Sequence, residues 1–305
     1  MSSFKEVHGV LPVLQTPFNA QDEIDKKTLQ REVKWVLEQG ADGVTTGMVT
    51  EILRLSPNER MSLHEMVSEV TNAHHALTVL SAGSESLKQS IHYSKHAETC
   101  NADAVMVNPP LTTLLGDEDL YAYYGSILDA TEIPMIVQDA SGYIGRPLSL
   151  ELQVKLLEDY GTRVYFKPEA VPIGPRLTVF MEATQGRARV FEGSGGGALI
   201  DTFPRGLVGT MPGADLTWAL VALWKALKEG DWNQIDLISG PLANLISLEH
   251  SLDAYLAIEK YLLVKQGIFT SAQVREPVGY RMDDQTTANV DRLFAVLRSR
   301  VFSNA

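Results

Sequence analysis

Val164-Tyr165-Phe166-Lys167-Pro168-Glu169 decides how the rest of the chain is read. An apolar run ends in a lysine and then a proline. Proline disfavours the helical conformation in the residue before it, so Lys167 is expected extended, at the end of a strand. Side chains alternate along a strand, which puts Lys167 on the face of Tyr165, with Glu169 in phase if the chain runs on extended. A lysine among Val, Tyr and Phe is costly to bury charged, and an uncharged amine attacks a ketone to give a Schiff base. A snorkelling lysine at a strand end would satisfy the same six residues. The surrounding chain has to decide.

Outward from this stretch the same grammar recurs. Residues 10–14, 43–47, 78–82, 104–107, 135–138, 164–167, 190–192 and 207–210 read as short strands. Helical patterns lie between them: Leu29, Val33, Val36 and Leu37 recur at helical spacing and Gly40 stops that helix. Ser56-Pro57-Asn58-Glu59 is a helix start with proline just inside it, and further helices are expected over 84–100, from about 117, over 149–159 and over 176–184. No pair of strands reads as an antiparallel hairpin. Strands alternating with helices in this number fit a closed parallel (β/α)8 TIM barrel better than an open sheet. From Leu216 onward the periodicity is purely helical, over 218–228, 232–245, 252–265 and 287–301. Residues 1–228 are therefore expected to form the barrel and residues 229–305 a C-terminal helical extension.

The bulk composition narrows the partners. A net charge of -12 disfavours nucleic acid and anionic membrane surfaces. The single cysteine, Cys100, excludes an internal disulfide and suits a reducing compartment. The N-terminal Met1-Ser2-Ser3-Phe4-Lys5 lacks the apolar core of a signal peptide, and no apolar run reaches the roughly 20 residues that span a bilayer. A cytoplasmic soluble protein is expected.

In such a barrel chemistry sits at the C-terminal ends of the strands. There the sequence turns odd, at 47–51, 108–111, Gln138-Asp139, Lys167 with Glu169, 192–197 and 210–212. Glu192-Gly193-Ser194-Gly195-Gly196-Gly197 follows a strand and precedes a helix, a setting in which backbone amides bind a carboxylate or phosphate. Its Gly193, Gly195 and Ala198 spell a dinucleotide fingerprint, but no acidic residue ends a following strand at the required distance. His92 and His96 share a helix face without a third ligand, and His74-His75 reads as surface, so no metal is expected. Cys100 reads as packing. Trp218, Trp224 and Trp232 are expected to fill core or subunit contacts.

Taken in order, several pieces resemble the dihydrodipicolinate synthase/N-acetylneuraminate lyase superfamily: Leu14-Gln15-Thr16-Pro17-Phe18, Gly40-Ala41-Asp42-Gly43, Gly47-Met48-Val49-Thr50-Glu51, Leu55-Ser56-Pro57-Asn58-Glu59-Arg60, Ala82-Gly83, Ile133-Pro134-Met135-Ile136-Val137, Phe166-Lys167-Pro168-Glu169-Ala170 and Gly206-Leu207-Val208-Gly209-Thr210. The ordered set carries the resemblance, since no single piece is specific. It implies a homotetramer of barrels in which Lys167 condenses with the C2 ketone of pyruvate or another 2-oxo acid, with no cofactor beyond that covalent Schiff base.

Departures from the pattern redirect the chemistry. The family's glycine-threonine-threonine-glycine-glutamate motif appears as Gly47-Met48-Val49-Thr50-Glu51, and Thr45-Thr46 is displaced along the strand. The fifth strand ends in Gln138 where the synthase and lyase carry a proton-shuttling tyrosine. Apolar residues around Leu111 replace a second tyrosine, and Arg146 lies a few residues late for the arginine that receives the synthase's second substrate. The pattern Val137-Gln138-Asp139-Ala140 with Phe191-Glu192-Gly193 looks closer to the 2-keto-3-deoxy sugar acid dehydratases, such as L-2-keto-3-deoxyarabonate dehydratase. A dehydratase removes a C3 proton and expels a C4 hydroxyl, which needs a carboxyl group nearby; Glu169 and Glu192 are the candidates. Gln138 cannot titrate and is expected to orient substrate or water. The amides of Met48, Val49 and Thr50 are expected to hold the substrate carboxylate and the Gly193 loop the distal hydroxyls, with Thr210 a further substrate-binding candidate. Competing readings are a pyruvate-dependent aldolase or synthase, a non-catalytic 2-oxo-acid-binding homologue, and a phosphate-handling isomerase built on the Gly193 loop.

Overall fold

The computed structural model describes residues 4–142 and 145–302; the first three residues of the N-terminal stretch and the last three of the C-terminal extension lie outside them. Eight parallel strands form one sheet: β1 (Gly9–Val10), β2 (Gly43–Thr45), β3 (Leu77–Ser81), β4 (Ala104–Val107), β5 (Met135–Gln138), β6 (Val164–Lys167), β7 (Val190–Glu192) and β8 (Leu207–Thr210). β2 to β8 each pair with their neighbours in sequence, and β1 pairs with β8. The remaining gap is bridged by backbone bonds from Asp42 N to Val10 O, Thr45 N to Pro12 O and Leu14 N to Thr45 O, at 3.0, 2.8 and 2.9 Å. The sheet is a (β/α)8 barrel.

The run expected as a strand over 10–14 is regular only at Gly9–Val10. Pro12 has no N–H to give to the ladder, and beyond it only Val13 makes isolated bridges, to Thr45 and Gly213. Likewise β2 stops at Thr45, because Met48–Thr50 closes into a 3-10 turn.

The helices follow their caps. α1 (Lys26–Glu38) starts where Asp25 accepts from the amides of Lys27 and Thr28. α2 (Pro57–His74) opens with a capping box in which Ser56 and Glu59 exchange hydrogen bonds, and Pro57 occupies the first turn where its missing N–H costs nothing. α3 (Leu87–Thr99), α4 (Asp117–Ala130), α5 (Leu150–Tyr160), α6 (Ile173–Ala183) and the four-residue α7 (Leu199–Thr202) complete the outer ring with α8 (Thr217–Glu229). α9 (Trp232–Ile246), α10 (Leu252–Lys265) and α11 (Asp284–Phe302) follow. Among the tryptophans Trp218 is buried, Trp224 packs edge-on against Phe203 and Trp232 is 62% exposed.

Strand alternation divides the core in two. Val79, Met106, Ile136, Tyr165 and Phe191 fill the inside of the barrel. Val44, Leu80, Val105, Val137, Val164, Phe166 and Val190 point outward and pack under the helices. This parity decides which residues one step further along each strand can meet at the mouth.

Candidate active site

Lys167 is one alternation beyond Tyr165 and Gln138 one beyond Ile136, so both stand on the inner face. The register of β5 and β6 pairs Gln138 directly with Lys167. Lys167 is 3% exposed, and its Nζ donates to Glu169 Oε1 at 2.5 Å. Gln138 Nε2 donates to the same oxygen at 2.6 Å. Glu169 Oε2 is buried and takes no hydrogen bond. An amine, an orienting amide and a carboxylate with one uncommitted oxygen therefore share one dry corner. The Glu169 amide donates to Asp139 Oδ1 at 3.0 Å. Burial, and then the nearby charge of Glu169, push the Asp139 carboxyl up to about 6. Gly193 closes over this group: a Cβ there would stand 3.0 Å from both Lys167 Cγ and Glu169 Cγ, so a larger residue would displace them.

The turn after β2 faces the same cleft, which Met48, Val49, Gln138 and Lys167 line together. Among the described residues, no acceptor takes the amides of Met48 and Val49. Thr50 differs from the expectation. Its amide donates to Gly47 O at 3.0 Å, and its hydroxyl donates to Leu14 O at 2.7 Å while accepting from Gly47 N at 2.8 Å. Both groups are spent on holding the turn.

Glu192 and the glycine loop also differ from the expectation. Phe191 is the inward residue of β7, so Glu192 starts on the outer face. Its Oε1 accepts from the amide of Ser194 at 2.7 Å and from the Ser194 hydroxyl; its Oε2 accepts from Gly196 N at 3.1 Å and Thr210 Oγ1 at 2.8 Å. The loop does bind an anion through its amides, but that anion is the chain's own Glu192. Thr210 belongs to the same clamp. Neither a phosphate nor substrate hydroxyls find these donors free, and four donors leave Glu192 no free direction for proton exchange. The histidine pair does not converge either: His96 Nε2 lies 3.2 Å from Met61 O and 3.6 Å from Cys100 Sγ. Among the described residues no three metal-ligating side chains are grouped to hold an ion.

A scan against family models matches residues 6–295 to the dihydrodipicolinate synthetase family. The chain belongs to that family. Over 283 residues, 92% of this chain and 96% of the relative, it is 25% identical to an uncharacterized DapA-like lyase of Pyrococcus horikoshii. To the 4-hydroxy-tetrahydrodipicolinate synthase of Bartonella quintana it is 30% identical over 167 residues, 54% of this chain and 56% of the synthase. The chain thus spans about half the length of the curated synthases it matches. The crystal structure of YagE from E. coli K12, a family member in complex with pyruvate, superposes with a TM-score of 0.86 at 20% identity, covering 96% of this chain and 99% of YagE. The chain is a (β/α)8 barrel of this family.

In this family member the helical extension reaches into the mouth. Tyr255 and Glu259 of α10 line the cleft beside Lys167. Glu259 is one of four buried carboxyls, with Glu32, Asp215 and Glu249, on four separate segments. Burial is the first cause that raises each, with repulsion from neighbouring carboxylates added for Glu32, Glu249 and Glu259; Asp215 is pushed up to about 7. A carboxyl raised above its unfolded value favours folding when protonated. That contribution is fully present below the unfolded value near 3.8 and is lost as pH rises through the folded one. The Asp215→Asn protein is therefore expected to match the wild type most closely near pH 4 and to exceed it in unfolding free energy at pH 8, by about 2–4 kcal/mol. Denaturant unfolding of both proteins across this range checks it; parallel stability curves would exclude a buried charge at 215.

Among the described residues no helix is long and apolar enough to cross a membrane.

Proposed function

We propose that this chain is a Schiff-base lyase that dehydrates a 2-keto-3-deoxy sugar acid. The observation that supports it most is the buried contact of Lys167 with Glu169, braced by Gln138 where a tyrosine shuttle is missing. Lys167 adds to the C2 ketone and water leaves, giving an iminium that serves as the electron sink, so no further cofactor is needed. Glu169, held beside the nitrogen, takes the C3 proton, and the pair becomes an enamine. Gln138 fixes the shared oxygen so that the free one faces no competing donor. The amides of Met48 and Val49 receive the substrate carboxylate. Glu192, Thr210 and the glycine loop act by position, keeping Gly193 against the lysine. The pyruvate bound to YagE supports a 2-oxo acid as substrate. Family membership supports a homotetramer as the assembly.

Borohydride added with pyruvate or a 2-keto-3-deoxy acid is expected to fix one adduct mass on Lys167, located by peptide mass spectrometry. A panel of 2-keto-3-deoxy acids should then yield semialdehyde rather than pyruvate. Pyruvate release would move the reading to an aldolase, and no adduct on Lys167 would remove the Schiff base altogether.

A further inference from the structure

The proposed dehydration leaves one proton unaccounted for. Glu169 takes a proton from C3, but the C4 hydroxyl must gain one to leave as water, and Lys167 is committed to the iminium. Tyr255 and Glu259 are the other titratable side chains that line the cleft with Lys167. They stand four residues apart on α10, on one face of the helix.

We infer that Glu259 is the general acid that protonates the departing C4 hydroxyl, across the cleft from Lys167. The assignment rests on the dehydratase reading and on how this carboxyl is built in. Glu259 is 2% exposed. Its Oε2 accepts from Gln15 Nε2, and Gln15 is itself fixed by its amide, which donates to Glu32 Oε1 at 2.9 Å. Its Oε1 lies against Gly213, where any side chain would collide with it. One oxygen is therefore spent on Gln15 and the other is left to carry the proton.

The surroundings keep that proton in place. Burial first, and then Asp215, Glu249 and Glu32, raise the Glu259 carboxyl well above its ordinary range. Lys260, next along the helix, is paired with Glu51. Tyr255 is the weaker choice: burial and the charges of Glu249, Glu259, Glu192 and Glu169 push its hydroxyl up, so it holds its proton and serves as a hydrogen-bonding wall. Two carboxyls in opposite settings then divide the work, Glu169 beside a cation as base and Glu259 among acids as acid. The balance closes. The C3–H bond breaks toward Glu169 to give the enamine; the nitrogen lone pair then re-forms the iminium, the C2=C3 pair moves to C3=C4 as the C4–O bond breaks, and the Glu259 proton leaves in the water. A second water later releases the ketone from Lys167, and return of the proton from Glu169 to Glu259 resets both.

The test uses full-length protein with 2-keto-3-deoxy-L-arabonate and its 4-deoxy-4-fluoro analogue. In Glu259→Gln, water elimination is expected to fall about 100-fold or more, while borohydride trapping and C3 hydrogen–deuterium exchange stay within about threefold of wild type. Fluoride leaves without protonation, so loss of fluoride from the analogue should be restored to near the wild-type rate. Equal losses of water and fluoride, or unchanged water elimination, would overturn the assignment. Should the variant fail to fold, wild-type pH profiles decide: water loss should decline toward high pH where fluoride loss does not, and parallel profiles would overturn it. Absence of trapping in the wild type would instead sink the Schiff-base reading itself.

Discussion

Glu169→Gln is expected to lose about three orders of magnitude in kcat while Lys167 still traps a 2-oxo acid under borohydride. The two measurements separate two roles that one carboxylate could fill. Glu169 Oε1 contacts both Lys167 Nζ and Gln138 Nε2, and Oε2 is buried without a partner. A glutamine of the same shape still offers an oxygen to Lys167 but cannot accept a proton from C3. General-base removal typically costs 10²–10⁴-fold, which sets the size of the loss. The C3 exchange of bound substrate in deuterated water should fall in step with kcat. Lys167→Ala is the companion variant and should lose trapping and turnover together, since the covalent electron sink is gone. If Glu169→Gln keeps wild-type turnover, the carboxylate is only a counter-ion, and the proton must leave C3 by another route.

How much of this was legible in the sequence differs from element to element. β4 to β8 fall on the residues their apolar runs mark, because each run is short and bounded by breakers, and β4 to β7 are buried on both faces. The first two strands run shorter than their apolar stretches, since Pro12 interrupts one ladder and the 3-10 turn ends the other. Lys167, Glu169 and Gln138 were readable from proline punctuation and strand parity. The same parity argues against Glu192, which shares a face with Val190 and not with Phe191. Its capture by its own loop is not written in any spacing, because the closure of residues 192–196 depends on φ angles that several glycines permit. The acids behind the site left a fainter signal. Glu32 falls on the stripe of Leu29, Val33 and Val36, and Glu259-Lys260 interrupts the apolar run Leu256 to Val264. Charges on an apolar face signal burial, but which strand end they approach depends on how α10 folds back onto the barrel.

That return of α10 onto the mouth leads to the largest stability effect expected. Lys260 and Glu51 form an ion pair in which neither side chain has any exposure. Lys260 Nζ also donates to Gln273 O at 2.7 Å, and it lies 4.7 Å from the centre of the Phe18 ring. Glu51 Oε2 accepts from the amide of Arg275 at 2.9 Å. The pair thus joins three segments, the turn after β2, α10 and the strap leading to α11. Glu51 itself takes a positive φ of 58°, a costly conformation for a residue with a side chain, so the ion pair holds the backbone that follows Met48 and Val49. Burial lowers the Lys260 ammonium, and the Glu51 charge opposes that shift. Lys260→Met leaves the carboxylate buried with only Arg54 Nη1 at 4.0 Å in place of its hydrogen-bonded cation, and breaking such a buried pair typically costs about 3–5 kcal/mol. The double variant Glu51→Gln with Lys260→Met removes both charges and should recover most of that loss, giving a coupling above roughly 2 kcal/mol in a double-mutant cycle. Its KM for the 2-oxo acid should nevertheless stay raised, because the amides of Met48 and Val49 lose the anchor that aims them. A single variant that unfolds within about 1 kcal/mol of wild type would mean that the turn stands without the helix behind it.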